Sequence, residues 1–162
     1  MPMRIGHSVD VHQFDPDKQL ILGGVKIPFK GLKGHSDADV LLHVVAESIL
    51  GALALGDLGN LFPDTDSQYK DKESKFFVTE VLKLCKSQGY LINNIDCMVL
   101  AEKPKLITYI YEIRKNIANL LEVNISQVSV KATTTEKLGF IGKGEGIMAT
   151  ATVLIKEGSN EK

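Results

Sequence analysis

HSDADVLLHVVAESILGALALG, residues 35–56, is the stretch on which the fold turns. Apolar residues recur at helical spacing along it. Ser36 followed by Asp39 resembles a capping box at its start, and Gly56 is a fitting stop. Asp39 and His43 are four apart and share a face of this helix, and His35 lies just before it.

Upstream, residues 3–14 read as a strand, DPDK (15–18) as a turn, and LILGGVKIP (20–28) as a second strand region interrupted by Gly23-Gly24. Downstream, DLGNLFPDTDSQYKD (57–71) reads as a polar loop. ESKFFVTEVLKLCKSQGY (73–90) is an amphipathic helix ended by Gly89. LINNIDCMVLA (91–101) reads as a strand, and Pro104 fits the first turn of a helix over roughly 105–122. QVSVKATT (127–134) alternates as a strand, TEKLGFIGKGEG (135–146) is a Gly-rich loop, and GIMATATVLIK (146–156) is the final strand. The pattern predicts one α+β domain over 1–157, a mixed or antiparallel β-sheet with helices packed on one face, and a flexible tail at 158–162.

The 162 residues make one ordinary domain, 44% hydrophobic and 24% charged, as soluble proteins are. A net charge of −1 gives no basic field for nucleic acid. No apolar run of 18 residues points to a membrane span. Cys85 and Cys97 form no CxxC pattern and read as reduced residues in or near the core. The strand-like start MPMRIGHSV leaves no room for a signal or transit peptide, so a cytoplasmic bacterial-type protein, or a mature plastid-type enzyme, is expected.

All four histidines fall in the first 43 residues. In SVDVHQF (8–14), alternation puts Asp10 and His12 on one strand face, with Val9 and Val11 on the other, packing the core. His7 has the opposite parity and reads as structural. If the helix packs across the strand, Asp10, His12 and His43 converge. Two imidazoles and a carboxylate suit a zinc-like ion with one tetrahedral position open. The commoner fate of Asp-x-His on a strand is a local hydrogen-bonded pair.

KATTTEKLGFIGKGEG (131–146) is a second constellation. Strand-end hydroxyls and Gly-loop N–H groups bind phosphate oxygens, Lys137 and Lys143 add positive charge, and Glu136 is a hard ligand of the sort Mg²⁺ uses. Residues 134 and 136 share parity if the strand runs on through TTTEK. DLGNLFPDTD (57–66) offers three carboxylates for a polyol, or is an acidic surface turn. AEKPK (101–105) offers backbone groups where a strand ends.

IGHSVDVHQF, GHSDADVLLH, GDLGNLFPDTD and VKATTTEKLGFIGKGEGI, in this order and spacing, resemble the 2-C-methyl-D-erythritol 2,4-cyclodiphosphate synthase family over nearly the whole chain. The resemblance implies a metal-dependent phosphorus–oxygen lyase of the non-mevalonate isoprenoid pathway. It would cyclise 4-diphosphocytidyl-2-C-methyl-D-erythritol 2-phosphate with release of CMP. It also implies a homotrimer with active sites at subunit interfaces, one zinc-type ion, and one Mg²⁺ or Mn²⁺ bridging the substrate phosphates.

By the same resemblance Asp10, His12 and His43 hold the zinc-type ion and Glu136 the second metal, while His35 and Thr134 stabilise the transition state. Asp10, His12, His35, Ser36, Asp57, Leu58, Gly59, Phe62, Pro63, Asp64, Thr65 and Asp66 would contact the substrate around its methylerythritol. Ala101, Glu102, Lys103, Pro104, Lys105, Thr133, Thr134, Thr135, Glu136, Phe140 and Lys143 would contact cytidine and phosphates. The chain departs from many members at Ser8 for Gly, Lys143 for Arg and Thr150 for Glu. The Arg–Glu pair near one end of the trimer channel is therefore absent. A zinc phosphoesterase using Asp39 or His35 as base, and a non-catalytic trimeric binding protein, are the rival readings.

Overall fold

The computed structural model describes residues 2–158. Strand β1 (Met3–Leu22) and β2 (Val25–Leu32) form an antiparallel hairpin. Its turn is Gly23-Gly24, where both residues have positive φ (58° and 79°), as a two-residue turn between twisted strands needs. The glycines thus end a strand, and DPDK does not. Pro16, Asp17 and Lys18 swell out as a bulge between the pairs Asp15↔Gly31 and Gln19↔Lys30. A proline without an N–H is tolerated at such a bulge.

Helix α1 spans Val40–Ala52, shorter at both ends than expected. Its cap is Asp39, not Ser36, and Gly56 lies in the loop beyond the end. Then come α2 (Leu58–Leu61), α3 (Ser74–Ser87) and β3 (Tyr90–Leu100). Helix α4 covers Ile110–Leu121, so Pro104, which follows a cis peptide bond, sits in the preceding loop and not in the first helical turn. A 3-10 turn at Ile125–Gln127 leads into β4 (Val128–Thr133). The Gly-rich loop contains a short helix, α5 (Gly139–Gly142), before β5 (Gly146–Glu157). Gly158 N–H donates to the Gly89 carbonyl, and the rest of the expected tail lies outside the described residues.

The strand order is β2-β1-β5-β3-β4, antiparallel except for β3 beside β4, so the sheet is mixed. Helices α1, α3 and α4 cover one face. Helix α1 is buried nearly all round, which explains its apolar composition on every side. A Cβ on Gly6 would fall 1.8 Å from the Ser48 carbonyl oxygen, so only glycine lets α1 approach β1 this closely. Cys85 and Cys97 are buried and unbridged; burial pushes their thiols up to about 11 and about 12.

One expectation is reversed. Gly6, Ser8, Asp10 and His12 face α1, whereas Ile5, Val9 and Val11 lie on the other face and are 70%, 49% and 43% exposed. No helix of this chain covers that second face among the described residues. Along β5, Ala149, Ala151, Val153 and Ile155 are buried, while Met148, Thr150, Thr152 and Leu154 continue the open face beside β1. His7 belongs to it, with Nδ1 3.0 Å from the Thr152 hydroxyl.

Candidate metal centre and substrate cleft

The unbroken β1–β5 register sets Asp10 opposite Ala149 and His12 opposite Ile147, with small and apolar neighbours beneath them. On α1, His43 and Glu47 are the polar pair, four residues apart, that interrupts an otherwise buried helix. The crossing of α1 over β1 brings the His43 stripe to the Asp10 face.

His12 Nε2 lies 3.1 Å from Asp10 Oδ2, and His43 Nδ1 lies 3.6 Å from the same oxygen. The two rings meet edge to face, 5.3 Å between centroids. One ligand atom from each of the three residues falls within 4.8 Å of the others. His12 Nδ1 donates to the Ala38 carbonyl at 3.1 Å, which leaves the Nε2 lone pair directed at the cluster. Two neutral imidazole nitrogens and one carboxylate oxygen are the donor set of a zinc-type ion with an open fourth position. The residues present therefore fit the metal that the sequence resemblance implies.

The electrostatics agree. Burial pushes the Asp10 carboxyl up, but the neighbouring His12 and His43 side chains outweigh it and hold it well below the usual carboxylate range. Burial lowers the His12 imidazole, yet the hydrogen bond and charge of Asp10 overcome that and raise it. Without a metal the anion therefore draws a proton onto His12. A divalent ion must displace that proton, so its affinity falls as the pH drops.

Asp39 is elsewhere. It is fully buried and does not reach the cluster. Its carboxylate accepts from Gly23 and Gly24 N–H at 3.0 and 2.8 Å and from Leu42 N–H at 3.0 Å. It caps α1 and closes the hairpin in one contact, and sharing a helix side with His43 gives it no access to the site. Burial lifts it to about 6, against the pull of those three N–H groups.

The cluster forms the floor of a cleft of about 430 Å³. His35, Leu58, Gly59, Phe62 and Asp64 line it with Asp10, His12 and His43. His35 is 81% exposed, and its Nε2 is 3.9 Å from Asp64. Asp57 caps α2 by accepting from Asn60 N–H at 2.9 Å, and Asp66 turns back onto Gln68. The acidic loop is shaped by aromatic packing: Phe62 meets Tyr69 and Phe77 edge to face at 5.1 and 5.2 Å. Ser36, Asp57, Pro63, Thr65 and Asp66 are absent from the cleft lining, close in the chain to residues that do line it.

The other predicted residues are not brought here by one chain. Ala101–Lys105, Thr133–Glu136, Phe140 and Lys143 are absent from the cleft lining. β4 ends at Thr133, and Glu136 and Lys137 have positive φ (54° and 65°), so the strand does not run on through TTTEK. Thr134 Oγ1 instead accepts from Glu136 N–H at 3.2 Å, and the segment is exposed. Glu102, Lys103 and Lys143 line a separate cleft of about 290 Å³ with Phe14, Phe29 and Lys30.

Sequence reasoning missed Glu47 and Ser74. Glu47 accepts from the Ser8 hydroxyl at 2.8 Å and from Leu58 N–H at 3.3 Å, joining β1, α1 and α2. Its i, i+4 spacing from His43 was the available signal. Ser74, 2% exposed at the start of α3, gave none.

Comparison with known proteins matches this architecture throughout. A model of the YgbB family fits residues 3–156. 2-C-methyl-D-erythritol 2,4-cyclodiphosphate synthase of Bacillus subtilis is 56% identical over 156 residues, spanning 96% of this chain and 99% of that protein. The synthase of Chlorobium phaeobacteroides is 54% identical, over 96% and 98%. Among solved structures, IspF of Plasmodium falciparum in complex with CDP superposes with a TM-score of 0.86 at 38% identity, covering 97% of each chain. The bifunctional IspDF of Campylobacter jejuni gives 0.92 at 42% identity, covering 96% of this chain and 42% of that one. The chain thus belongs to the YgbB family and is an enzyme of the cyclodiphosphate synthase type, with a candidate metal triad in Asp10, His12 and His43.

Proposed function

We propose that the chain converts 4-diphosphocytidyl-2-C-methyl-D-erythritol 2-phosphate to the 2,4-cyclodiphosphate with release of CMP. The observation that carries this reading is the convergence of Asp10, His12 and His43 at the floor of a cleft rimmed by the Asp57–Asp66 loop. An oxygen of the 2-phosphate attacks the β-phosphorus, the bond from that phosphorus to the bridging oxygen breaks, and CMP leaves with the electron pair. The nucleophile is already an anion, so no strong base is required, and the removal of Asp39 from the candidates costs the mechanism nothing. The demand is for in-line alignment and charge neutralisation.

A zinc-type ion held by Asp10, His12 and His43 would supply electrostatic stabilisation of the phosphoryl oxygens. His35, which lines the cleft and is exposed, would donate to a phosphoryl oxygen. Asp57, Leu58, Gly59, Phe62, Pro63, Asp64, Thr65 and Asp66, with Ser36, form the methylerythritol side. The cytidine and phosphate side comes from Ala101–Lys105, Thr133–Glu136, Phe140 and Lys143, with Thr134 stabilising the transition state and Glu136 holding Mg²⁺ or Mn²⁺.

These two sides lie apart in a single chain, which favours a homotrimer with sites between subunits. The open sheet face supports the same reading: Ile5, Val9 and Val11 beside Met148 and Leu154 form an apolar surface that a monomer leaves in water. The bacterial relatives favour a cytoplasmic enzyme. Incubation with the cytidyl substrate followed by ³¹P NMR tests the reaction. Cyclic diphosphate and CMP are expected; inorganic phosphate with a linear product would make the chain a hydrolase.

A further inference from the structure

The outer nitrogen of His43 has a partner that the reaction itself does not explain. His43 Nε2 lies 3.0 Å from Ser74 Oγ, and Ser74 Oγ lies 2.5 Å from Asp37 Oδ1. Asp37 Oδ2 also accepts from Ser74 N–H at 3.1 Å. An ionised carboxylate only accepts, so the Ser74 hydroxyl proton points at Asp37. The hydroxyl oxygen then has lone pairs left for His43, and the imidazole proton must sit on Nε2. That leaves the Nδ1 lone pair facing Asp10 Oδ2, 3.6 Å away. Ser74 is almost wholly buried, so water does not compete for the contact.

We propose that Ser74 and Asp37 are positioning residues that fix the tautomer and ring orientation of His43 for metal binding. They also tie that ligand to the substrate loop. Ser74 is the first residue of α3 and so the point where the 57–73 segment ends, while Asp37 lies in the segment between His35 and α1. One hydroxyl therefore joins the two chain segments that rim the cleft to a ligand on its floor. His12 reaches the same end by donating to a backbone carbonyl, so the two imidazoles present opposite nitrogens, Nε2 and Nδ1, to one point. Removal of such an outer partner lowers metal affinity by about 10–100-fold in comparable sites.

This inference rests on the metal reading above, and zinc binding separates the two. The full chain is loaded with zinc, and its affinity is read by competition with a chelator of known strength. Ser74→Ala should weaken zinc about 10–100-fold, and Asp37→Asn, which keeps the shape and loses the charge, should weaken it less. Ser74→Thr, which restores the hydroxyl, should return most of the loss. Histidine ¹⁵N NMR of the unaltered zinc-loaded chain, with His43 assigned by its absence in His43→Ala, should show its proton on Nε2. That reading does not depend on any Ser74 variant folding. A proton on His43 Nδ1, or Ser74→Ala binding zinc within twofold of the unaltered chain, overturns the relay while leaving the metal site standing. An unaltered chain that binds no zinc overturns both.

Discussion

The corner where β1 meets α1 and the segment from Lys131 to Gly146 both carry candidate donors for the proposed substrate, and they are built in opposite ways. At the first, every donor is held. Asp10 lies between two imidazoles, His12 is anchored to Ala38 and His43 to Ser74, and β5 backs the strand with small and apolar side chains. At the second, Thr134 and Glu136 stand exposed on a turn of positive φ, and Leu138 and Phe140 are 72% and 44% exposed. A donor set made by one chain's own packing can bind a metal before substrate arrives. A set left open at the surface acts only when something else closes over it, and a second copy of the chain is the proposed closure.

Substitutions should separate these halves. The largest effect belongs to His43→Ala, which should lose zinc and turnover together, the latter by about 4 kcal/mol or more of transition-state stabilisation. Metal analysis beside a CMP-release assay reads both. Retained zinc would mean that the corner is not a metal site.

Asp39 tests whether the corner owes its rigidity to the cap beneath α1. Its folded carboxyl sits at about 6, above the ordinary 3.8. A raised value means that the folded state favours the protonated form. That stability contribution is complete below about 3.8 and is lost as the pH rises through about 6. Asp39→Asn should erase the dependence, at the cost of the Gly24 contact. Urea unfolding at pH 4.5 and pH 7 should show the unaltered chain losing about 2 kcal/mol more than the variant. Equal slopes in the two proteins would contradict this.

On the open side, Glu136→Gln should lower turnover by about 2–3 kcal/mol and raise the Mg²⁺ or Mn²⁺ requirement, with zinc content unchanged. Thr134→Val should leave both metals in place and slow the chemical step by about 1–3 kcal/mol. If Glu136→Gln instead stripped zinc, the two halves would not be independent.

The comparison also explains what was legible beforehand. Period-2 alternation puts Asp10 and His12 together in any strand, and the helix brings His43 by packing, so the triad could be read from the sequence. Which face met the helix could not. Val9 and Val11 look like core residues because they are apolar, yet Gly6 and Ser8 are the residues small enough to let α1 approach. A sheet with apolar groups at both parities gives alternation no sign. Asp39 misled for a related reason: helical spacing records the side of the axis and not whether the side chain turns back to cap the backbone. Ser74 was invisible because its role depends on a loop closure between residues 37 and 74, to which no local pattern points.

The claim that the exposed half is completed by another subunit is tested most directly by mixing two inactive chains. His43→Ala carries an intact Glu136, and Glu136→Ala carries an intact triad. Unfolded together and refolded in equal amounts, they should form mixed trimers in which roughly one site in four pairs two unaltered halves, with activity returning in proportion. If the mixture stays as inactive as either parent while light scattering shows trimers, the site lies within one chain and the account is wrong.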